Sequence, residues 1–294
     1  MKVGVVGGGA VGLLIASYLS EKHIVTIYTR TEEQSKEINR NGLRLEVDGK
    51  VINREVHAEI FPPQHIGQND LVIIAVKQYQ LQTIIPTLIN AHTNLLFVQN
   101  GMGHVQYFNQ LSKNNQIFVG VVEHGALKDH SNSVIHTGKG VIKVASYSEN
   151  SSLDLSLIQV NELFPVLYEK DYKAMLTNKL VVNAMINPLT AVLEVTNGEV
   201  LINESCLTLF EGLFEEVTNI LSIENKEEMK EHVKQVCKKT AKNRSSMLCD
   251  LAEGRMTEVD AILGYLLTVA ENEKIAAPIM RTLYLLVKGK EAKV

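Results

Sequence analysis

The chain has no tryptophan, and aromatic residues make up only 5% of its 294 positions. Protein-binding surfaces draw much of their affinity from large rigid aromatics, so an interaction module describes this composition poorly. There are three cysteines, Cys206, Cys237 and Cys249, too few and too unevenly spaced for a disulfide framework or a zinc centre. No metal site is expected, and the sparse thiols fit a reducing cytoplasm. Positive charge is not in excess: 29 Lys and Arg against 33 Asp and Glu give −4, which argues against nucleic acid as the partner. A credible membrane span is also lacking. Residues 3–20 carry no charge and follow Lys2, as a signal peptide or span would. Yet Gly4, Gly7, Gly8, Gly9 and Gly12 lie inside that stretch, each weakening a helix by about 1 kcal/mol relative to alanine, and no small-x-small cleavage site follows. What remains is a soluble cytoplasmic protein that handles a small molecule. Its length allows about two domains of roughly 150 residues.

The first half alternates between strand and helix patterns. Lys2–Val6 is a Val-rich strand, Ala10–Ser20 a helix and Val25–Thr29 a β-branched strand. Thr31 with Gln34 three residues later reads as a capping box opening a helix to about Arg40. Asp70–Val76, Asn94–Gln99, Phe118–Val122, Val134–His136, Val141–Ala145 and Val166–Tyr168 read as further strands, with a helix over Gln78–Asn90. Such alternation predicts a parallel, doubly wound sheet. Beyond about Asp171 only helical spacing appears: Thr177–Ile186, Ser205–Leu221, Lys226–Asn243, Thr257–Glu271 and Pro278–Lys290. The expected organisation is an α/β domain over 1–170 followed by an all-α domain over 171–294.

Gly7-Gly8-Gly9-Ala10-Val11-Gly12 is a G-x-G-x-x-G motif between a strand and a helix. Gly7 permits the tight turn, Gly9 lets backbone approach a pyrophosphate, and Gly12 lets helix pack on strand. The helix N-terminus then offers free N–H groups and a partial positive charge to the phosphates. The fold expected of the first half is therefore Rossmann-type. A carboxylate at the end of the second strand would hold the ribose 2′-hydroxyl of NAD, but that position is Thr29, followed by Arg30. Arg30, with Thr29 and Thr31 as hydroxyl donors and Lys77 as a second cation, suits a 2′-phosphate, which makes NADPH the expected cofactor. Glu32 and Glu33 fall in the first turn of the next helix, where carboxylates favour the dipole whatever the function.

Asn100, in Asn100-Gly101-Met102-Gly103, follows a strand at the end where doubly wound sheets bind ligands. On the Thr177–Ile186 helix, Lys179, Asn183 and Asn187 stand at i, i+4 and i+8 and form one stripe. Leu180-Val181-Val182 and Ala184-Met185-Ile186 make its other faces apolar. A solvated face would carry Glu, Lys and Gln; two asparagines, poor helix formers, point instead to polar groups held for a ligand. Asn243-Arg244-Ser245-Ser246 supplies donors that suit a carboxylate. Thr257-Glu258-Val259-Asp260 opens the next apolar stretch.

These motifs together resemble the ketopantoate reductase family, over essentially the whole chain: the glycine motif, Asn100-Gly101-Met102-Gly103, His136-Thr137-Gly138-Lys139-Gly140, Lys179-x-x-x-Asn183-x-x-x-Asn187-Pro188, Ser245-Ser246-Met247 and Thr257-Glu258-Val259-Asp260. The resemblance implies NADPH-dependent reduction of 2-dehydropantoate to pantoate. It implies that Lys179 is the general acid and that Asn183 and Asn187 hold the substrate's C4 hydroxyl. Ser246, with Asn243 beside it, would take the carboxylate. Asn100 would touch substrate and nicotinamide ribose, and Glu258 would orient substrate or lysine at the cofactor. Arg30 and Lys77 would take the 2′-phosphate. An ammonium with an ordinary pKa of about 10.4 is protonated at pH 7 and can supply that proton. Glu123 departs from the pattern, standing beside His124 where a small or hydroxyl residue is expected.

Two other readings compete: a dehydrogenase of another 2-oxo or 3-hydroxy acid, and a non-catalytic NADPH sensor. The sensor would need the glycines and Arg30 but not Lys179. Apolar residues such as Leu209, Phe210, Leu213 and Phe214 allow a homodimer.

Overall fold

The computed structural model describes residues 1–147 and 158–292. The chain divides into two compact units, Met1–Gln99 with His104–Met175, and Asn100–Gly103 with Leu176–Val294.

The first unit contains β1 (Lys2–Val6), α1 (Ala10–Leu19), β2 (Ile24–Thr29), α2 (Glu32–Asn41), β3 (Leu43–Val47), β4 (Lys50–Arg54), β5 (His57–Ile60) and β6 (Leu71–Ile74). It continues through α3 (Leu81–Leu88), β7 (Asn94–Phe97), α4 (Phe108–Leu111), β8 (Gln116–Val122), β9 (Gly125–His130), β10 (Ser133–Gly138), β11 (Ile142–Ser146) and β12 (Val166–Tyr168). The large sheet has the order β12-β11-β8-β7-β6-β1-β2-β5. From β5 to β8 its neighbours are parallel, and order reverses at β1, which pairs with both β2 and β6. That is the Rossmann arrangement, with its crevice at the carboxyl ends beside β1.

Two features depart from a purely parallel sheet. β11 runs antiparallel to β8, and a second sheet of order β4-β3-β10-β9 stands apart from the first. Val134–His136, expected among the strands of one sheet, belongs to this second sheet. It explains the uncharged N-terminal run. α1 packs against β1 and β2 of the large sheet and against β3, β9 and β10 of the small one, so Gly12 to Leu19 are all buried. A helix covered on both sides has no face left for charge.

The second unit carries the C-terminal part of α5 (Tyr172–Leu193), then α6 (Glu204–Ile220), α7 (Lys226–Lys239), α8 (Ser246–Ala252), α9 (Tyr265–Glu273) and α10 (Pro278–Glu291). Its core gathers Leu180, Met185, Leu189, Phe210, Phe214, Val217 and Leu263, all fully buried. Helix α5 runs well past the expected Ile186 and carries Pro188 in its interior. The expected helix over Lys226–Asn243 stops at Lys239 and α8 follows separately. A π-helical turn, Asp260–Gly264, precedes α9. Among the described residues no helix is long and apolar enough to cross a membrane.

Candidate active-site residues

Between the end of β1 and the start of α1 lie Gly7, Gly8 and Gly9. Gly7 has φ +117°, a conformation that L side chains rarely adopt. A Cβ on Gly12 would lie 1.9 Å from the Gly7 carbonyl oxygen, so the helix could not close on the turn. Gly8 is packed against Gln34, whose amide donates to the carbonyls of Gly8 at 2.8 Å and Ser131 at 2.7 Å. In front of Gly9 a Cβ would meet nothing within 4 Å. Helix α1 has neither a side-chain cap nor an acidic residue in its first turn. Open space and uncapped N–H groups at Gly9, Ala10 and Val11 therefore fit a diphosphate, which accepts hydrogen bonds and favours the positive helix end.

Arg30 directly follows β2 and is exposed; Lys77 follows β6 by three residues and is half-buried. Because β2 and β6 flank β1, the two cations stand at strand ends on either side of the glycine turn. Gln99, at the end of β7, donates to the Ile74 and Val76 carbonyls and ties this rim together. Thr29 does not act as expected. It is fully buried and its hydroxyl donates to the Thr31 and Glu59 carbonyls, so it has no proton for a phosphate. Thr31 caps α2, accepting from the Gln34 N–H, and is exposed.

In the second unit, α5 presents Lys179, half-buried, and then Asn183 and Asn187, each 7% exposed. The Asn183 amide donates to Asn100 Oδ1 at 3.4 Å, and Asn100 Nδ2 donates to Glu258 Oε2 at 2.8 Å. Asn187 reaches Ser246 Oγ at 3.5 Å. Two local features set this cluster. Gly101 has φ +80°, and a Cβ there would sit 2.2 Å from the Ala261 carbonyl, so only glycine brings Asn100 against the π-helical turn. Thr257 is clamped by Glu291, which accepts from both its N–H and its hydroxyl, and this anchors Glu258 next to it.

Five expected residues of this unit are thus joined, three in one chain, Asn183, Asn100 and Glu258, and two in a close pair, Asn187 with Ser246. Asn243 lies exposed between α7 and α8, its carbonyl accepting from the Asn197 N–H. Ser245, expected among the donors for a carboxylate, has instead a supporting role, which it shares with Thr190. Ser245 caps α8 and accepts from Thr190 at 2.7 Å, fixing α8 and with it Ser246 onto α5. The Ser245-Ser246 pair before a short apolar run was the available signal. Glu123 is exposed and pairs with Lys143 at 2.9 Å, whereas the ring of His124 is buried.

The chain matches the family model "Ketopantoate reductase PanE/ApbA" over residues 3–149 and its C-terminal counterpart, "Ketopantoate reductase PanE/ApbA C terminal", over residues 171–291. It is 43% identical to a 2-dehydropantoate 2-reductase of Bacillus subtilis (strain 168), covering 99% of this chain and 98% of that one. It is 37% identical to a 2-dehydropantoate 2-reductase of Listeria innocua, over 100% and 98%. The crystal structure of a probable 2-dehydropantoate 2-reductase from Bacillus subtilis superposes with a TM-score of 0.90 at 41% identity, covering 99% and 100% of the two chains. With the glycine turn in one unit and the Lys179–Asn183–Asn187 stripe in the other, the chain belongs to the ketopantoate reductase family.

Proposed function

We propose that the protein reduces 2-dehydropantoate to pantoate with NADPH, a step of pantothenate biosynthesis. Gly7 to Gly12 hold the diphosphate of the cofactor, Arg30 and Lys77 its 2′-phosphate, and Asn100 and Glu258 the end that carries the nicotinamide. When bound, NADPH supplies a hydride to C2 of the substrate. The carbonyl π electrons move to oxygen, and Lys179 Nζ donates the proton that converts the alkoxide to the 2-hydroxyl; solvent reprotonates the amine. Before that transfer the ammonium stabilises the developing oxyanion. Asn183 and Asn187 hold the C4 hydroxyl, and Ser246, with Asn243 at its rim, the carboxylate.

The observation that carries this reading is the Asn183–Asn100–Glu258 chain on the stripe that begins with Lys179. Two buried amides one turn apart, partnered by a third amide and a hydroxyl, are costly to assemble in an apolar helix unless a polar ligand uses them. We assign residues 1–170 to cofactor binding and 171–294 to substrate binding and proton transfer, in a cytoplasmic homodimer. Light scattering at micromolar concentration tests the dimer. The activity is tested by NADPH consumption with 2-dehydropantoate, set against NAD-linked oxidation of 3-hydroxyisobutyrate: turnover of the first pair supports the proposal, and turnover of the second alone overturns it.

A further inference from the structure

Lys128, on β9, lies 120 residues along the chain from the glycine turn, yet its ammonium donates to the Gly8 carbonyl at 2.9 Å. An ammonium has three protons to donate, and this is its one hydrogen bond among the described residues. No carboxylate pairs with it there. Burial, and then the like charge of Arg30, hold its pKa below the usual lysine value. Arg30 likewise has no carboxylate partner among the described residues. Two like charges kept close, one of them half-buried, are destabilising unless an anion joins them. The small sheet is what brings them together: the Ser131 carbonyl, in the turn after β9, is bound by the same Gln34 amide that holds Gly8.

We propose that Lys128 is a specificity residue for the cofactor, acting with Arg30 on the 2′-phosphate of the adenosine ribose. The inference rests on NADPH being the cofactor. The diphosphate has its own donors at the N-terminus of α1, whereas Lys128 stands on the Gly8 side of the turn, towards the end of β2. In a dinucleotide fold that end is where the ribose 2′ position is read. A compact ammonium is suited to a phosphate dianion as a point charge, while the Arg30 guanidinium can bind it in a bidentate manner.

The alternative role is purely structural, in which Lys128 only pins the Gly8 carbonyl. Binding of NADPH and of NADH to the full chain separates the two, read by the emission of the reduced nicotinamide, which no tryptophan in this chain obscures. In Lys128→Ala the Kd for NADPH is expected to rise about tenfold or more, with the Kd for NADH within about twofold of wild type, and Lys128→Arg is expected to restore most of the preference. Equal weakening of both cofactors, or no change in either, would overturn the assignment to the 2′-phosphate. Wild-type protein that fails to prefer NADPH would overturn the cofactor reading itself, a result distinct from a wild type that prefers NADPH and a Lys128→Ala variant that does so equally.

Discussion

Asn100 donates its side-chain amide to the Glu258 carboxylate at 2.8 Å, across 158 residues of sequence. The contact orients the Asn100 carbonyl oxygen towards the Asn183 amide, so one carboxylate fixes which way two amides face. Replacing Asn100 by Ala and Glu258 by Ala, singly and together, is expected to give losses in kcat/KM that do not add. The coupling energy should fall within about 0.5–3 kcal/mol, as for residues in one network. Strict additivity would mean that the two side chains act independently.

Gly101 makes that contact possible. Gly101→Ala would place a Cβ 2.2 Å from the Ala261 carbonyl, at a φ of +80°. We expect the melting temperature to drop, corresponding to about 1–3 kcal/mol of strain, and kcat/KM to fall with it as Asn100 is displaced. Thermal unfolding followed by circular dichroism checks the first effect.

At the cofactor end, Arg30→Ala is expected to weaken NADPH by about tenfold to a hundredfold, the range of one charged hydrogen bond. NADH, which lacks the phosphate, should bind the variant as it binds wild type. Fluorescence titration with each cofactor measures the ratio directly.

Acid stability follows from two buried histidines. His104 packs against Phe97 and Phe108 with neither ring nitrogen bonded among the described residues, and burial drives its pKa down to about 3. His124 stacks on Phe164. Its Nδ1 accepts from the Gly140 N–H, so the proton of the 3.0 Å contact between this atom and His136 Nε2 belongs to His136. His136 Nδ1 therefore accepts from the Tyr18 hydroxyl at 2.7 Å. Burial and then the neighbouring His136 hold His124 at about 4. Both rings are neutral in the fold. Above about pH 6.5 neither state binds these protons. Below it the unfolded chain takes up protons that the folded chain refuses, so stability falls by about 1.4 kcal/mol per pH unit for each ring, down to the folded-state values. His104→Phe should flatten this acid limb, measured as melting temperature between pH 7 and 4.5; an unchanged slope would show that His104 does not titrate on unfolding.

The large sheet was legible because β1, β2, β6 and β7 are short apolar runs with turn residues around them, and the glycine motif fixed what lies beside β1. The small sheet was not. Leu43–Val47 and Gly125–His130 mix apolar with charged residues, as strands covered on one face do, and their pairing partners lie far away in sequence. Its absence from the sequence reading also hid why α1 is apolar on every side. In the helical unit the Lys179–Asn183–Asn187 spacing was plain, since helical period is a local property. The Thr190–Ser245 contact, the Gly101 packing and the Lys128 contact with Gly8 depend on tertiary approach, which local pattern does not encode. Thr29 misled for the same reason: its hydroxyl is bound by carbonyls, one of them on β5.

The proton donor is the core of the account. Single-turnover and steady-state NADPH oxidation by Lys179→Ala, with cofactor affinity measured in parallel, tests it most directly. The kcat is expected to fall about a hundredfold or more, with NADPH affinity within about twofold of wild type. A variant that folds, binds NADPH and retains more than about a tenth of the wild-type rate would contradict it.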